Sequence, residues 1–389
     1  MSKTRIVYAS SAMLEEDFSN LFKDVKNMPG QQAQRFNRLL IKGLAKNDVK
    51  VCAVSAPPIN KTNTSSLFKF IGSSNKEGIK YCYTPTINVS GVKNALVLVY
   101  SFLKTFFLLI GRKGAVVCDV LNISVALGAV LAGRFLGKQC IGVVTDLPEL
   151  MVTGHSKKQV KYCYKVMDMC TDYVLLTEPM NERVNPCKKP FTIVEGICDE
   201  DTDYIPRTEE GGSKNCLYAG LLDAEYGVET MVEAFLKANI PNCKLHICGK
   251  GPYEQELIKI CRNTPQIIFH GVLLNSEIVS LEKKMTLLIN PRPSEGEFTK
   301  YSFPSKIMEY MTSGTAVLAT CLPGINKEYY KYFYTFYGED CDKMADSMKS
   351  VLELPIKDLH QKGADAYRYV TENKNSKVQA SKVLGLLKN

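Results

Sequence analysis

Short apolar or β-branched runs alternate along the chain with longer stretches whose apolar residues recur every three or four positions. The first series predicts strands over 5–9, 49–55, 78–83, 115–120, 139–145 and 173–177, and helices over 31–45, 92–110, 124–135 and 158–169. Strands that alternate with helices of this length are joined by crossovers and lie parallel. A second series, with strands over 216–219, 244–248, 267–269, 287–289 and 316–319, repeats the rhythm. The expected fold class is therefore α/β, with two doubly wound domains over 1–200 and 215–372. The polar, Gly-containing stretch 201–214 is the expected linker, and 373–389 a C-terminal helix packing back on the N-terminal domain. Ligands of open parallel sheets bind outside the carboxyl ends of the strands, so two such domains facing one another would share a cleft.

One helical stretch departs from the pattern. Residues 94–110, NALVLVYSFLKTFFLLI, are apolar almost throughout, interrupted by Lys104 and followed by Arg112 and Lys113. A span of the bilayer needs about 20 apolar positions. Two readings remain: a crossover helix buried against its sheet, or an interfacial helix with its apolar side in lipid and its basic flank on headgroups.

Length and composition narrow the class. At 389 residues the chain exceeds what one hydrophobic core usually organises. Hydrophobic residues at 45% and charged residues at 23% match ordinary globular usage and exclude a disordered or fibrous chain. Fourteen cysteines occur without a CxxC pair and with only four histidines, so neither a disulfide framework nor a zinc ribbon has its spacing. No metal is expected. The N-terminus lacks the apolar core of a signal peptide, and the expected location is the cytoplasm.

Charge is uneven. Residues 1–200 hold 26 Lys and Arg against 16 Asp and Glu, whereas 201–389 hold 23 against 24. The first half therefore either faces something anionic, such as the inner membrane surface or a phosphate-bearing substrate, or is a solvated Lys-rich surface. No nucleic-acid module or basic-aromatic stripe is present, and no nucleic-acid partner is expected.

The densest chemistry lies in 290–324, NPRPSEGEFTKYSFPSKIMEYMTSGTAVLATCLPG. A strand ends there, a loop rich in Gly and Glu follows, and a helix begins at Pro304 or Ser305, with Ser305 able to cap it. Exposed N–H groups at such a helix start, with Lys306 in the first turn, suit a diphosphate. Glu309, one turn deeper, suits a ribose diol; the plainer reading of Lys306 and Glu309 is an i,i+3 ion pair. Asp199-Glu200-Asp201 spells a metal-binding DxD but falls at the linker. No GxGxxG follows a strand and no Walker loop occurs, so NAD and ATP chemistry lack their phosphate loops.

Together with LYAGLLDAEYGVETMVEAF (217–235), LHICGKGP (245–252) and IIFHGV (267–272), the stretch PSKIMEYMTSGTAVLAT resembles the retaining glycosyltransferases of family 4, which have the GT-B fold of two Rossmann-like domains. TDYVLLTEPMN and TIVEG in the N-terminal half are similar to a bacterial capsule and O-antigen polysaccharide branch. The resemblance implies a nucleotide-diphosphate sugar donor, UDP-linked, on the C-terminal domain, and a saccharide or lipid-diphosphate-linked acceptor approached by the N-terminal one. It implies no cofactor. Lys306, Ser305, Arg292 and Gly30 would meet the diphosphate. Glu309, Lys250, Gly251 and His270 would meet the ribose and base, and Glu295, Glu297, Phe298 and Thr299 the donor sugar. Asp146, Glu297 and Lys306 would serve catalysis, with Asp146 orienting an acceptor hydroxyl or, alternatively, capping the turn before Pro148. The sequence departs from the family in three places. Tyr301 stands where the first glutamate of Glu-x7-Glu belongs, and Leu221 and Tyr226 replace the usual Arg and Lys. A GT-B epimerase or hydrolase, or a nucleotide-sugar-binding protein without chemistry, remains as the alternative function.

Overall fold

The computed structural model describes residues 3–388 except 24, 26–28, 30, 31, 65, 90, 152–155, 200–203 and 206–213. Gly30 and most of the 201–214 linker thus lie outside the described residues. The chain divides into two units: 1–197 with 375–389, and 198–374.

Unit 1 runs β1 (Arg5–Ser10), α1 (Glu15–Phe22), α2 (Gln32–Lys46), β2 (Lys50–Ser55), β3 (Phe68–Lys69), β4 (Ser74–Lys76), β5 (Ile79–Tyr83), β6 (Thr86–Ile87), α3 (Val92–Leu109), β7 (Gly114–Asp119), α4 (Ile123–Phe135), β8 (Cys140–Val144), α5 (Lys157–Met169), β9 (Asp172–Leu175), α6 (Met180–Val184) and β10 (Phe191–Ile193). Its sheet has the order β10-β9-β8-β7-β1-β2-β5-β4, and every neighbouring pair is parallel except β4 with β5. Ile6, Val7, Tyr8 and Ala9 on β1 have no exposed surface, as expected of a central parallel strand covered on both faces. The β4–β5 turn carries Glu77 and Gly78 at positive φ, which reverses the chain in two residues. β3 and β6 form a separate antiparallel pair.

α3 is the crossover from β5 to β7 and touches β1 and β2, but it is only partly covered. Only Val97, Ser101, Thr105 and Leu109 are buried, a single stripe at four-residue spacing. That stripe lies on α4, where a Cβ at Gly128 would come 2.3 Å from the Leu98 carbonyl oxygen. By length and composition α3 is apolar enough to cross a membrane.

Unit 2 is a wholly parallel six-stranded sheet, in the order β13-β12-β11-β14-β15-β16. It comprises β11 (Lys214–Leu221), α7 (Val228–Ala238), β12 (Cys243–Lys250), α8 (Glu254–Asn263), β13 (Ile267–Gly271), α9 (Asn275–Glu282), β14 (Leu287–Asn290), α10 (Ser305–Thr312), β15 (Ala316–Ala319), β16 (Tyr334–Thr335), α11 (Cys341–Glu353) and α12 (Ile356–Asn373). Alternation along each strand feeds two cores. Cys216, Tyr218, Leu245 and Ile247 pack under α7 and α11, while Leu217, Ala219, Leu288 and Val317 pack with Ile307 and Met311 of α10.

The chain then returns to unit 1. α13 (Ser376–Leu384) lies along α2, places Ala380 and Val383 in the unit 1 core, and donates from Gln379 Nε2 to the Gly196 carbonyl at 2.6 Å.

Candidate functional site

The carboxyl edge of the unit 2 sheet is drawn together by glycines. Gly249, at the end of β12, has φ +138°, and a Cβ there would stand 1.8 Å from the Gly220 carbonyl oxygen of β11. Gly227 has φ +73°, and its missing Cβ would stand 2.2 Å from the Pro291 carbonyl oxygen after β14. Only glycine takes such backbone and such contact together. Gly251 crosses close to the Leu222 carbonyl oxygen in the same way. The loops after β11, β12 and β14 are therefore pressed into one ledge.

Close approach at Gly227 has a chemical consequence. The 3-10 turn Ala224–Tyr226 just before it carries the Tyr226 ring to 5.4 Å from the Arg292 guanidinium carbon, and the Phe298 ring lies at 4.7 Å. Arg292 is thereby held between two aromatic faces, each contact contributing about 0.5–1 kcal/mol. Sequence alone marks Tyr226 as a missing cation; in the fold it is one wall of a slot for another.

Loop 291–304 is fixed from inside. Thr299 has no exposed surface, and its hydroxyl lies 2.8 Å from the Ser294 and 2.7 Å from the Gly296 carbonyl oxygens. Expected at the donor sugar, Thr299 instead shapes the loop. Phe298, expected there too, gives its ring to Arg292. Glu339, which the sequence does not point to, accepts from the Ser294 N–H at 2.9 Å and ties the loop to the strand edge beyond β16. Glu295 and Glu297 stand exposed on the loop.

α10 starts beside that loop. Its N-cap is Pro304 in extended conformation and no side chain caps it, so Ser305 is the exposed first helical residue and does not make the expected cap. First-turn N–H groups of an uncapped helix are donors for an anion. Lys306 Nζ lies 3.5 Å from Glu309 Oε2 and 6.0 Å from the Tyr310 ring centre. The Glu309 side chain is only 11% exposed, which makes this a sheltered carboxylate with an adjustable cation rather than the solvated surface pair of the plainer reading. Tyr310 is buried and accepts from the Ala219 N–H of β11 at 3.0 Å, which anchors the helix to the sheet. Lys250 is exposed where β12 ends.

His270, near the end of β13, pairs with a second histidine. Its Nε2 is 2.9 Å from His246 Nδ1, and His246 Nε2 is 3.2 Å from Asn215 Oδ1. Their rings are stacked, with centres 5.2 Å apart. His270 also lines a cavity of about 360 Å³ with Ser276, Glu277, Ser280 and Lys284. Burial lowers both histidine pKa values, and the positive charges of His270 and Lys244 depress that of His246 further. A depressed value means the folded unit binds fewer protons than the unfolded chain below about pH 6.5, so stability falls as the pH drops through that window. The Tm is expected to fall between about pH 7 and 5.5, and to fall less in His246→Gln. Equal slopes for the two proteins would refute the pair's part in it.

In unit 1, Asp146 is exposed two residues beyond β8, just before the turn Pro148–Leu150, whose N-cap is Leu147. Nearby loops line a cavity of about 660 Å³ with Ser11, Lys93, Asn122, Lys158, Gln159 and Tyr162. Asp119, at the end of β7, escapes sequence reasoning. It is 1% exposed and accepts from Asn37 Nδ2 at 3.0 Å, the Leu121 N–H at 3.1 Å and Asn122 Nδ2 at 2.6 Å, while Tyr8 donates to Asn37. Burial raises its pKa against those three donors. Among the described residues no group of three or more His, Cys, Asp or Glu converges as a metal site.

Residues 201–369 match the family model of glycosyl transferases group 1. No protein of curated function matches the sequence. Solved structures similar over nearly the whole chain include a sucrose-phosphate synthase from Thermosynechococcus elongatus, 14% identical with TM-score 0.65, covering 99% of this chain and 98% of that one. The lipopolysaccharide outer core galactosyltransferase WaaB is 14% identical with TM-score 0.62, covering 98% and 99%. Anabaena HepE, solved in complex with UDP, is 10% identical with TM-score 0.62, covering 99% and 100%. At such identities likeness speaks for the fold. The chain has the α/β GT-B fold of Rossmann-like parallel-sheet domains, and its residues 201–369 match the model of glycosyl transferases group 1.

Proposed function

We propose that this chain is a retaining glycosyltransferase that moves a sugar from a UDP-linked donor to a saccharide acceptor, carried on a lipid diphosphate at the inner face of a membrane during surface polysaccharide assembly. The observation that carries the reading is the uncapped start of α10 with Lys306 and the sheltered Glu309, beside the clamped Arg292, within the residues that match group 1. UDP is favoured because the similar HepE structure holds it.

In this reading the first-turn N–H groups of α10, Lys306 and Arg292 hold the diphosphate, and Glu309 accepts from the ribose hydroxyls once Lys306 turns to phosphate. Lys250, Gly251 and the β13 end meet the nucleoside, and Glu295 or Glu297 meets the donor sugar. The bond from the anomeric carbon to the diphosphate oxygen breaks, and the acceptor oxygen bonds on the same face. The acceptor proton passes to a donor phosphate oxygen. Fixed cations stabilise the charge that develops on the leaving diphosphate, so no protein nucleophile is required. Asp146 orients the acceptor hydroxyl. Transfer is expected to continue in the presence of a metal chelator.

Thermal unfolding with UDP, GDP, ADP, CMP and dTDP tests the donor class. UDP at about 100 times its Kd should stabilise by about 2.7 kcal/mol, and Glu309→Ala should abolish the gain. Silence across the panel would overturn the donor site. Release of UDP only with an acceptor supports transfer; release without one would make the protein a hydrolase or epimerase, and binding without release a sugar-nucleotide-binding protein.

A further inference from the structure

α3 is built inside out. Its buried stripe is Val97, Ser101, Thr105 and Leu109, with two hydroxyl side chains, while Val99, Leu103 and Phe107 lie outside at 52%, 47% and 65% exposure. The small inner residues explain how this packs. Ser101 Oγ donates to the Val125 carbonyl of α4 at 2.7 Å, and the two helices touch backbone to backbone at Gly128. Close approach through Gly and Ser, with bulky residues facing away, is the packing that helices adopt where the outside is as apolar as the inside.

The outer face is continued by α4. Phe135 is 76% exposed and its ring centre is 6.0 Å from that of Phe106, which in turn lies 5.6 Å from Phe107. Cations rim this end. Arg112 donates to the Phe107 carbonyl at 2.9 Å, Lys138 donates to the Arg112 carbonyl at 2.6 Å, and Lys113 and Arg134 stand exposed beside them. Between Glu77 and Asp146 the sequence holds seven Lys and Arg and one acid, Asp119, which is buried. An apolar ridge with Arg112, Lys113, Arg134 and Lys138 around its end matches a surface with an apolar interior and an anionic skin. The buried stripe holds the helix to unit 1, so it lies along such a surface and does not cross it.

We infer that the outer face of α3, with Phe135 and the Arg112–Lys113 rim, docks unit 1 onto an anionic lipid bilayer. This deepens the reading of a lipid-linked acceptor and rests on it for its biological sense, while the geometry belongs to unit 1 alone. It would bring the acceptor-binding unit to where such an acceptor resides.

Flotation of the full chain with phosphatidylcholine vesicles, with and without about one third phosphatidylglycerol, tests it. Binding is expected only to the anionic vesicles and should fade as salt shortens the screening length. Arg112→Glu with Lys113→Glu should weaken binding by roughly 30-fold or more, from about fivefold per cation removed. Phe107→Ser should weaken it at least tenfold, and both variants should keep the wild-type Tm and UDP stabilisation. If Phe107→Ser fails to fold, the Arg112 and Lys113 variant decides alone. Failure to float with anionic vesicles, equal flotation with neutral ones, or a dimer that Phe107→Ser dissociates would each overturn the proposal. A lost UDP shift with flotation intact would strike the donor reading instead.

Discussion

Replacing Arg292 by alanine is expected to lower kcat/KM for sugar transfer by about two to three orders of magnitude, the usual consequence of removing one preorganised stabiliser of developing charge. In the family that the sequence resembles, an Arg and a Lys stand at the places held here by Leu221 and Tyr226. Arg292 approaches from the loop after β14, and its guanidinium is fixed between Tyr226 and Phe298. Fixing matters because an unrestrained arginine would spend part of its interaction on its own ordering. Arg292→Lys should recover little, since an ammonium neither stacks in a planar slot nor forks onto two phosphate oxygens. Tyr226→Leu should lower the rate by a smaller factor while leaving the charge in place. Stability should change only by the lost ring contacts, a few degrees of Tm. Wild-type turnover in Arg292→Ala would remove it from the diphosphate site.

Gly249→Ala is expected to destabilise unit 2 by about 3 kcal/mol or more. Two effects add: backbone strain at φ +138° and overlap with a carbonyl oxygen that sits inside the β11–β12 ladder and cannot retreat. For a unit of this size the Tm should fall by about 10 °C. Gly72 is the control, because nothing lies within 4 Å of a Cβ there. Comparable Tm values for Gly249→Ala and Gly72→Ala would show that the ledge is not as tight as its distances indicate. Nucleotide binding should suffer with the fold, since the same crossing brings Lys250 and Gly251 to the edge.

The strand and helix rhythm could be read because parallel strands buried on both faces leave uninterrupted apolar runs, as in IVYA of β1. Elements without such runs could not. β4, Ser74–Lys76, is polar and exists because the Glu77-Gly78 turn folds it onto β5. α1 has an acidic first turn and only Phe18 and Phe22 facing inward. At the site, the one-turn spacing of Lys306 and Glu309 follows from helical period alone. What spacing could not convey is which residues meet from far apart in sequence: Tyr226 with Arg292, Glu339 with Ser294, His246 with His270 and Asn215. Nor could it tell that Thr299 turns inward or that Ser305 begins α10 without capping it. For α3 the sequence showed an apolar helix but not its orientation, because Ser101 and Thr105 read as interruptions of an apolar face when they are the face that packs.

The return of the chain's end to unit 1 bears on the order in which the molecule can be made. Asn47 Nδ2 donates to the Lys377 carbonyl, Gln139 Nε2 to the Leu386 carbonyl, and a Cβ at Gly43 would collide with the Ser376 carbonyl oxygen, so α2 is shaped to receive α13. Unit 2 is one continuous segment, whereas unit 1, although its first 197 residues are synthesised first, keeps an open seam until residues 375–389 follow unit 2. The first-made half is thus the last to close.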